Sequence, residues 1–141
     1  MRFIALILSL CASSARAEDA LTYPYDGSFA DAAFAVETAI VNRGLVVDHV
    51  SHVGEMLART AGDVGSDVVL FDNADVFLFC SAALSREVME ADPLNIVYCP
   101  YNIFVVDRAG EVIIGHRDYP DGTMAPVEEM LREIAQEASA F

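Results

Sequence analysis

Asn102-Ile-Phe-Val-Val-Asp-Arg-Ala-Gly-Glu-Val-Ile-Ile-Gly-His-Arg117 is the most informative segment for predicting the architecture. Two runs rich in valine and isoleucine, residues 102–107 and 111–117, flank the short segment Arg108-Ala109-Gly110. Such runs favour β-strands, and a glycine between them tolerates the positive φ that a tight turn requires. The pattern predicts a β-hairpin, and therefore a sheet that is antiparallel at this point.

Strand and helix patterns alternate along the rest of the chain. Three further segments have the β-branched and aromatic composition of strands: residues 21–25, 45–50 and 68–80. The third is interrupted by Asp72-Asn73-Ala74-Asp75, where we predict a turn or a bulge. Four helical patterns begin near residues suited to a helix start: Ser28, Ser51, Ser81 and Pro126. These elements predict an α+β fold, a two-layer sandwich in which a largely antiparallel sheet packs helices on one face.

The first 17 residues have the organisation of a secretory signal peptide. A positive charge at Arg2 precedes a short apolar run over residues 3–12, and Ala15-Arg16-Ala17 is a small-x-small cleavage site. We therefore expect cleavage before Glu18 and a periplasmic or secreted mature protein, with one α+β domain over residues 18–141. The apolar run is too short to span a membrane, and no later run is longer, so no membrane span is predicted.

The charge of the chain excludes some partners. The whole sequence has 8 basic and 22 acidic residues, a net charge of −14. Loss of Arg2 and Arg16 with the signal peptide would make the mature charge −16, with no lysine present. A surface of this sign repels phosphate backbones and anionic lipid, so neither nucleic acid nor an anionic membrane surface is an expected partner.

Two cysteines remain after cleavage, Cys80 at the end of one apolar run and Cys99 shortly before the next. If those runs are antiparallel neighbours, the two sulfurs come within disulfide reach. An oxidising compartment favours the bridge, which would contribute roughly 3 kcal/mol. Other roles stay open: soft metal ligands, inert buried thiols, or a redox thiol at Cys80, whose pKa the helix start at Ser81 would lower.

The histidines supply the remaining candidate ligands. His49 and His52 are three positions apart, and Met56 follows on the face of its helix predicted to be buried. With Cys80 and Cys99 they would form a copper site, or a zinc site of two cysteines and two histidines. His116 ends the predicted hairpin strand, where we expect a solvated side chain. Non-covalent haem held by His49 or His116 is a weaker alternative.

Common catalytic motifs are missing from the sequence. It contains no phosphate loop, dinucleotide fingerprint, nucleophile elbow, zincin helix or c-type haem motif. A Cys-x-x-Cys pair is also missing, so the usual resolving thiol of a thioredoxin-type enzyme is not present.

A series of short motifs carries a family resemblance. They occur in the order Gly44-Leu-Val-Val-Asp-His49, Gly54-Glu-Met-Leu57, Phe79-Cys-Ser-Ala82, Ala91-Asp-Pro93 and Cys99-Pro-Tyr-Asn-Ile103. This order resembles the bacterial "domain of unknown function 302" family over nearly the whole mature chain. The resemblance implies a compact α+β fold that is often a homodimer, and it implies no established activity.

Together these features predict an exported binding or accessory protein rather than an enzyme. Cys80 and Cys99 are interpreted first as a structural disulfide. The alternative is a copper- or zinc-binding or thiol redox protein that uses the same cysteines with His49 and His52. An exported redox or sulfur-metabolism protein is the expected kind of partner.

Export should produce a chain that begins at or near Glu18, because the small residues at Ala15 and Ala17 suit signal peptidase. Intact-mass analysis of the extracytoplasmic fraction measures the new N-terminus. A mature protein that retains Met1 would contradict the prediction.

Overall fold

A computed structural model describes residues 20–141, so the predicted signal peptide and Cys11 lie outside it. Five strands are present in this part: β1 Ala20–Tyr25, β2 Val47–Ser51, β3 Asn73–Phe79, β4 Tyr101–Arg108 and β5 Glu111–Arg117. Its α-helices are α1 Phe29–Asn42, α2 Val53–Thr60, α3 Ala82–Ala91 and α4 Ala125–Ser139. Short 3-10 helices cover Gly62–Val64 and Pro93–Tyr98. No helix in the described range is both long enough and apolar enough to cross a membrane.

The predicted hairpin is confirmed and lies within the sheet. Strands β4 and β5 pair antiparallel, and the turn residues Ala109 and Gly110 have φ values of 55° and 82°. Polar side chains stabilise the turn: Asp107 accepts the Gly110 N–H, and Asp72 accepts the Ala109 N–H. The whole sheet has the order β1-β5-β4-β3-β2, and every neighbouring pair is antiparallel.

Helices α1 and α4 cover one face of the sheet, as the two-layer prediction requires. The side chains that the sheet buries on this face are Phe77, Phe79, Tyr101, Ile103, Val105, Val112 and Ile114. Three alanines of α1, which are Ala32, Ala35 and Ala39, are fully enclosed. Small side chains let the helix backbone approach its neighbours closely, and α1 packs against α4 as well as against the sheet.

Two of the predicted N-caps are confirmed. The hydroxyl of Ser28 accepts the Asp31 N–H at the start of α1, and that of Ser81 accepts the Leu84 N–H at the start of α3. The predicted cap Ser51 is wrong, because this residue is still in β2. His52 occupies the N-cap of α2 and makes no capping hydrogen bond with its side chain.

The predicted break at residues 72–75 is also wrong. Strand β3 begins at Asn73 and continues through Ala74 and Asp75 without a turn, while residues 66–71, which we predicted to be strand from residue 68, have no regular structure. The reason is tertiary: the Asp72 N–H donates to the Asp107 carbonyl, and the Asp72 carboxylate binds the hairpin turn. The polar groups of Asp72 therefore find hydrogen-bond partners in β4 and its hairpin turn, although the local sequence alone favours a turn at this point.

Helix α2 is positioned by a glycine. An added Cβ at Gly54 would lie 2.6 Å from the Ala74 backbone nitrogen and 3.2 Å from the Asn73 carbonyl carbon. The backbone of α2 at Gly54 therefore packs directly against the backbone of β3, with no room for a side chain between them. Met56, which we predicted to be on its buried face, is 42% exposed. Close contact through Gly54 turns the helix so that Met56 faces outward.

Replacing Gly54 by alanine should lower the free energy of unfolding by about 1–3 kcal/mol, because backbone atoms must move to admit the methyl group. Urea denaturation measures the change. Gly62→Ala is the matched control, since a Cβ there meets no atom within 4 Å. Equal stability of the two variants would show that α2 does not pack closely against β3.

Candidate thiol site

The two cysteines lie at neighbouring ends of paired strands. Cys80 directly follows β3, and Cys99 caps the 3-10 helix Pro93–Tyr98 shortly before β4. Phe79 and Tyr101 are partners in the β3–β4 register, so the residues just beyond them converge. The two Sγ atoms are 2.8 Å apart, and both side chains are half-buried as free thiols. The predicted proximity is confirmed, at a separation longer than the roughly 2.05 Å of a disulfide bond.

Burial keeps the Cys80 thiol protonated at neutral pH. Its pKa is raised to about 11, first by burial, then by the hydrogen bond and the charge of Cys99, and slightly by Asp48. A backbone hydrogen bond from Tyr101 opposes this rise only in part. The predicted lowering of the Cys80 pKa by the helix that begins after Ser81 is therefore wrong. Desolvation beside a second sulfur outweighs the helix dipole here.

Tyrosine side chains pack beside the thiols. The ring of Tyr119 makes edge contacts with Tyr98 and Tyr101, at centroid distances of 5.5 and 6.4 Å. Tyr101 is fully buried and its hydroxyl lies 3.1 Å from Ser85 Oγ, a hydrogen bond between β4 and α3. Burial raises the pKa of Tyr119 to about 12, and its hydroxyl has no partner among the described residues. Sequence reasoning missed these tyrosines, although the strand alternation that buries Tyr101 was available.

A buried polar group adjoins the tyrosines. His116 is 0% exposed, its ring stacks at 6.1 Å on Tyr23, and its Nδ1 lies 2.8 Å from the Arg117 carbonyl oxygen. Glu128 in the first turn of α4 accepts the Tyr119 N–H and approaches His116 Nδ1 at 3.8 Å.

The expectation of a solvated His116 is wrong. Strand β5 extends to Arg117, and its alternation places His116 with Val112 and Ile114 on the face that α4 covers.

The other predicted ligands do not join the thiols. His49 is exposed on β2 opposite Leu78. His52 lies towards the other end of β3, where its Nδ1 is 2.7 Å from Asp75 Oδ1. The hydrogen bond and then the charge of Asp75 raise the pKa of His52. Met56 faces outward from α2. Within residues 20–141, no three His, Cys, Asp or Glu side chains are grouped so that they could hold a metal ion.

Comparison with known proteins agrees with the resemblance carried by the motifs. The family model described as "Domain of unknown function DUF302" matches residues 21–140. The chain belongs to the DUF302 family. No curated protein matches this DUF302 chain.

A solved structure confirms the fold of the DUF302 chain. It is described as the crystal structure of an uncharacterized conserved DUF302 protein from Bacillus stearothermophilus, and it superposes with a TM-score of 0.63 at 18% sequence identity. The alignment covers 88% of this chain and 95% of that one. At this identity the likeness shows the fold alone.

The two buried tyrosines beside the thiols should respond differently to loss of the hydroxyl. Tyr101→Phe removes a hydrogen bond to Ser85 and should cost about 1 kcal/mol of unfolding free energy. Tyr119→Phe removes a buried hydroxyl without a protein partner in the described range, so the cost should be near zero. Urea denaturation of the two variants measures the difference, and equal losses would contradict it.

Proposed function

We propose that this DUF302 protein is an exported accessory protein in which Cys80 and Cys99 close into a structural disulfide. The observation that carries the proposal is the 2.8 Å separation of the two Sγ atoms. A disulfide requires about 2.05 Å, so the sulfurs would approach by less than about 1 Å. Side-chain rotation alone can supply a shift of that size.

The position of the pair supports a stabilising role. Helix α3 and the 3-10 helix Pro93–Tyr98 lie between the two cysteines, so a bridge would close this segment as a loop. The segment presents Leu94, Ile96 and Val97 to solvent rather than to the core. Because these three residues of the 3-10 helix bury little apolar surface, a covalent link at the ends of the segment would constrain the unfolded chain and stabilise the fold.

Bridge formation needs an oxidant. The two thiols lose two protons and two electrons, and a disulfide oxidant accepts both and becomes a dithiol. A half-buried pair whose Cys80 thiol stays protonated reacts slowly with dissolved oxidants, because the thiolate is the nucleophile. An oxidising extracytoplasmic compartment would supply the oxidant.

Soft-metal binding by the reduced thiols is a second candidate, favoured by the convergence of the two sulfurs. Two thiolates suit copper(I). A zinc site of two cysteines and two histidines does not fit, because His52 is bound to Asp75 at the other end of β3. A haem site at His116 does not fit the structure either, since the imidazole ring of His116 is fully enclosed.

Protein recovered from the extracytoplasmic fraction should show no reactive thiol until it is reduced, as measured by alkylation and mass spectrometry. Cys80→Ser and Cys99→Ser should each lower the unfolding free energy of the oxidised protein by about 3 kcal/mol. Under reducing conditions the variants and the wild type should differ far less, which is the control.

Two reactive thiols in the freshly exported protein would contradict the disulfide. Copper(I) titration of that reduced protein would then test the metal candidate. His49→Ala and His52→Ala should leave copper binding unchanged, while Cys80→Ser abolishes it.

A further inference from the structure

We propose that the 3-10 helix Pro93–Tyr98 is the docking surface for a protein that carries a redox-active disulfide and oxidises the thiol pair. This inference rests on the proposed function. It adds the kind of partner and the surface that receives it.

The 3-10 helix has an inverted pattern of burial. Its apolar residues Leu94, Ile96 and Val97 are 76%, 62% and 71% exposed, whereas polar Asn95 is buried. Asn95 Nδ2 donates to the Val88 carbonyl and to Thr123 Oγ1, which holds the helix against α3 and the start of α4. A single exposed apolar residue is ordinary, but three on one anchored turn form a patch suited to a partner.

The patch lies next to Cys99 in the chain. Val97 is two residues before Cys99, and Tyr98 between them packs its ring against buried Tyr119. A protein seated on Val97 would therefore have its surface beside the half-buried sulfur of Cys99. Thiol–disulfide exchange requires this contact, because the attacking sulfur must reach a sulfur of the oxidant.

The acidic charge of this chain favours a partner with basic residues around its contact surface. Asp92, directly before the 3-10 helix, is exposed, whereas Glu90 is paired with Arg86 at 3.0 Å. Asp48 is close enough to Cys80 to raise its pKa. The sequence as a whole has a net charge of −14. A second copy of this chain would meet like charge, whereas an apolar surface surrounded by basic residues would be complementary.

The proposed reaction has two exchange steps. The thiolate of Cys99 attacks one sulfur of the partner's disulfide, and the other partner sulfur leaves and takes up a proton. Cys80, with its Sγ 2.8 Å from that of Cys99, then loses its proton and attacks the mixed disulfide. The Cys80–Cys99 bond forms, and the partner departs as a dithiol that holds the two electrons and two protons.

The test compares two oxidants on the reduced mature protein. One is a purified bacterial thiol oxidase of the thioredoxin fold with a Cys-x-x-Cys disulfide, and the other is oxidised glutathione, which needs no docking surface. Val97→Ser should slow oxidation by the oxidase about tenfold and leave the glutathione rate unchanged. Raising the ionic strength should slow the oxidase reaction as well.

Val64→Ser is the matched control, because Val64 is 76% exposed on the other 3-10 helix, Gly62–Val64, which precedes β3. Equal oxidase rates for Val97→Ser and Val64→Ser would overturn the docking surface while the disulfide stands. Failure of both oxidants to bridge the wild-type thiols would instead overturn the proposed function.

Discussion

The antiparallel pairing of β3 with β4 positions both the hydrophobic core and the two cysteines. Strand β4 is the central strand, and its register with β3 places Phe77 opposite Ile103 and Phe79 opposite Tyr101. These side chains form the floor on which α1 and α4 pack. The same register brings together the chain segments just beyond the strand ends, so core formation and the approach of the two cysteines have one cause.

Burial, rather than a nearby charge, controls the chemistry of the candidate site. The thiols lie against the tyrosines, where desolvation raises the pKa values of Cys80, Tyr101 and Tyr119 together. With its pKa raised to about 11, the Cys80 thiol is not a strong nucleophile at neutral pH. The short distance between the two sulfurs is the feature that favours bridge formation once an oxidant contacts one of the thiols. Both the proposed disulfide and the proposed docking patch depend on this proximity of the two sulfurs.

Local patterns predicted much of this fold correctly. The hairpin at residues 102–117 and the caps Ser28 and Ser81 depend on interactions within a few residues. The approach of Cys80 to Cys99 was also predictable, because it requires only that successive strands be antiparallel neighbours. Three of the errors share a different origin, because His116, Met56 and residues 72–75 each have surroundings supplied by distant parts of the chain.

Composition and short-range geometry were enough to predict the α+β class, most strand and helix segments, the acidic charge and the approach of Cys80 to Cys99. Three features depend on long-range contacts: His116 is enclosed beneath α4, His52 binds Asp75, and the 3-10 helix before Cys99 turns apolar side chains outward. The physical reason is that burial and pKa depend on which distant element covers a residue, and periodicity within one segment carries no information about that element.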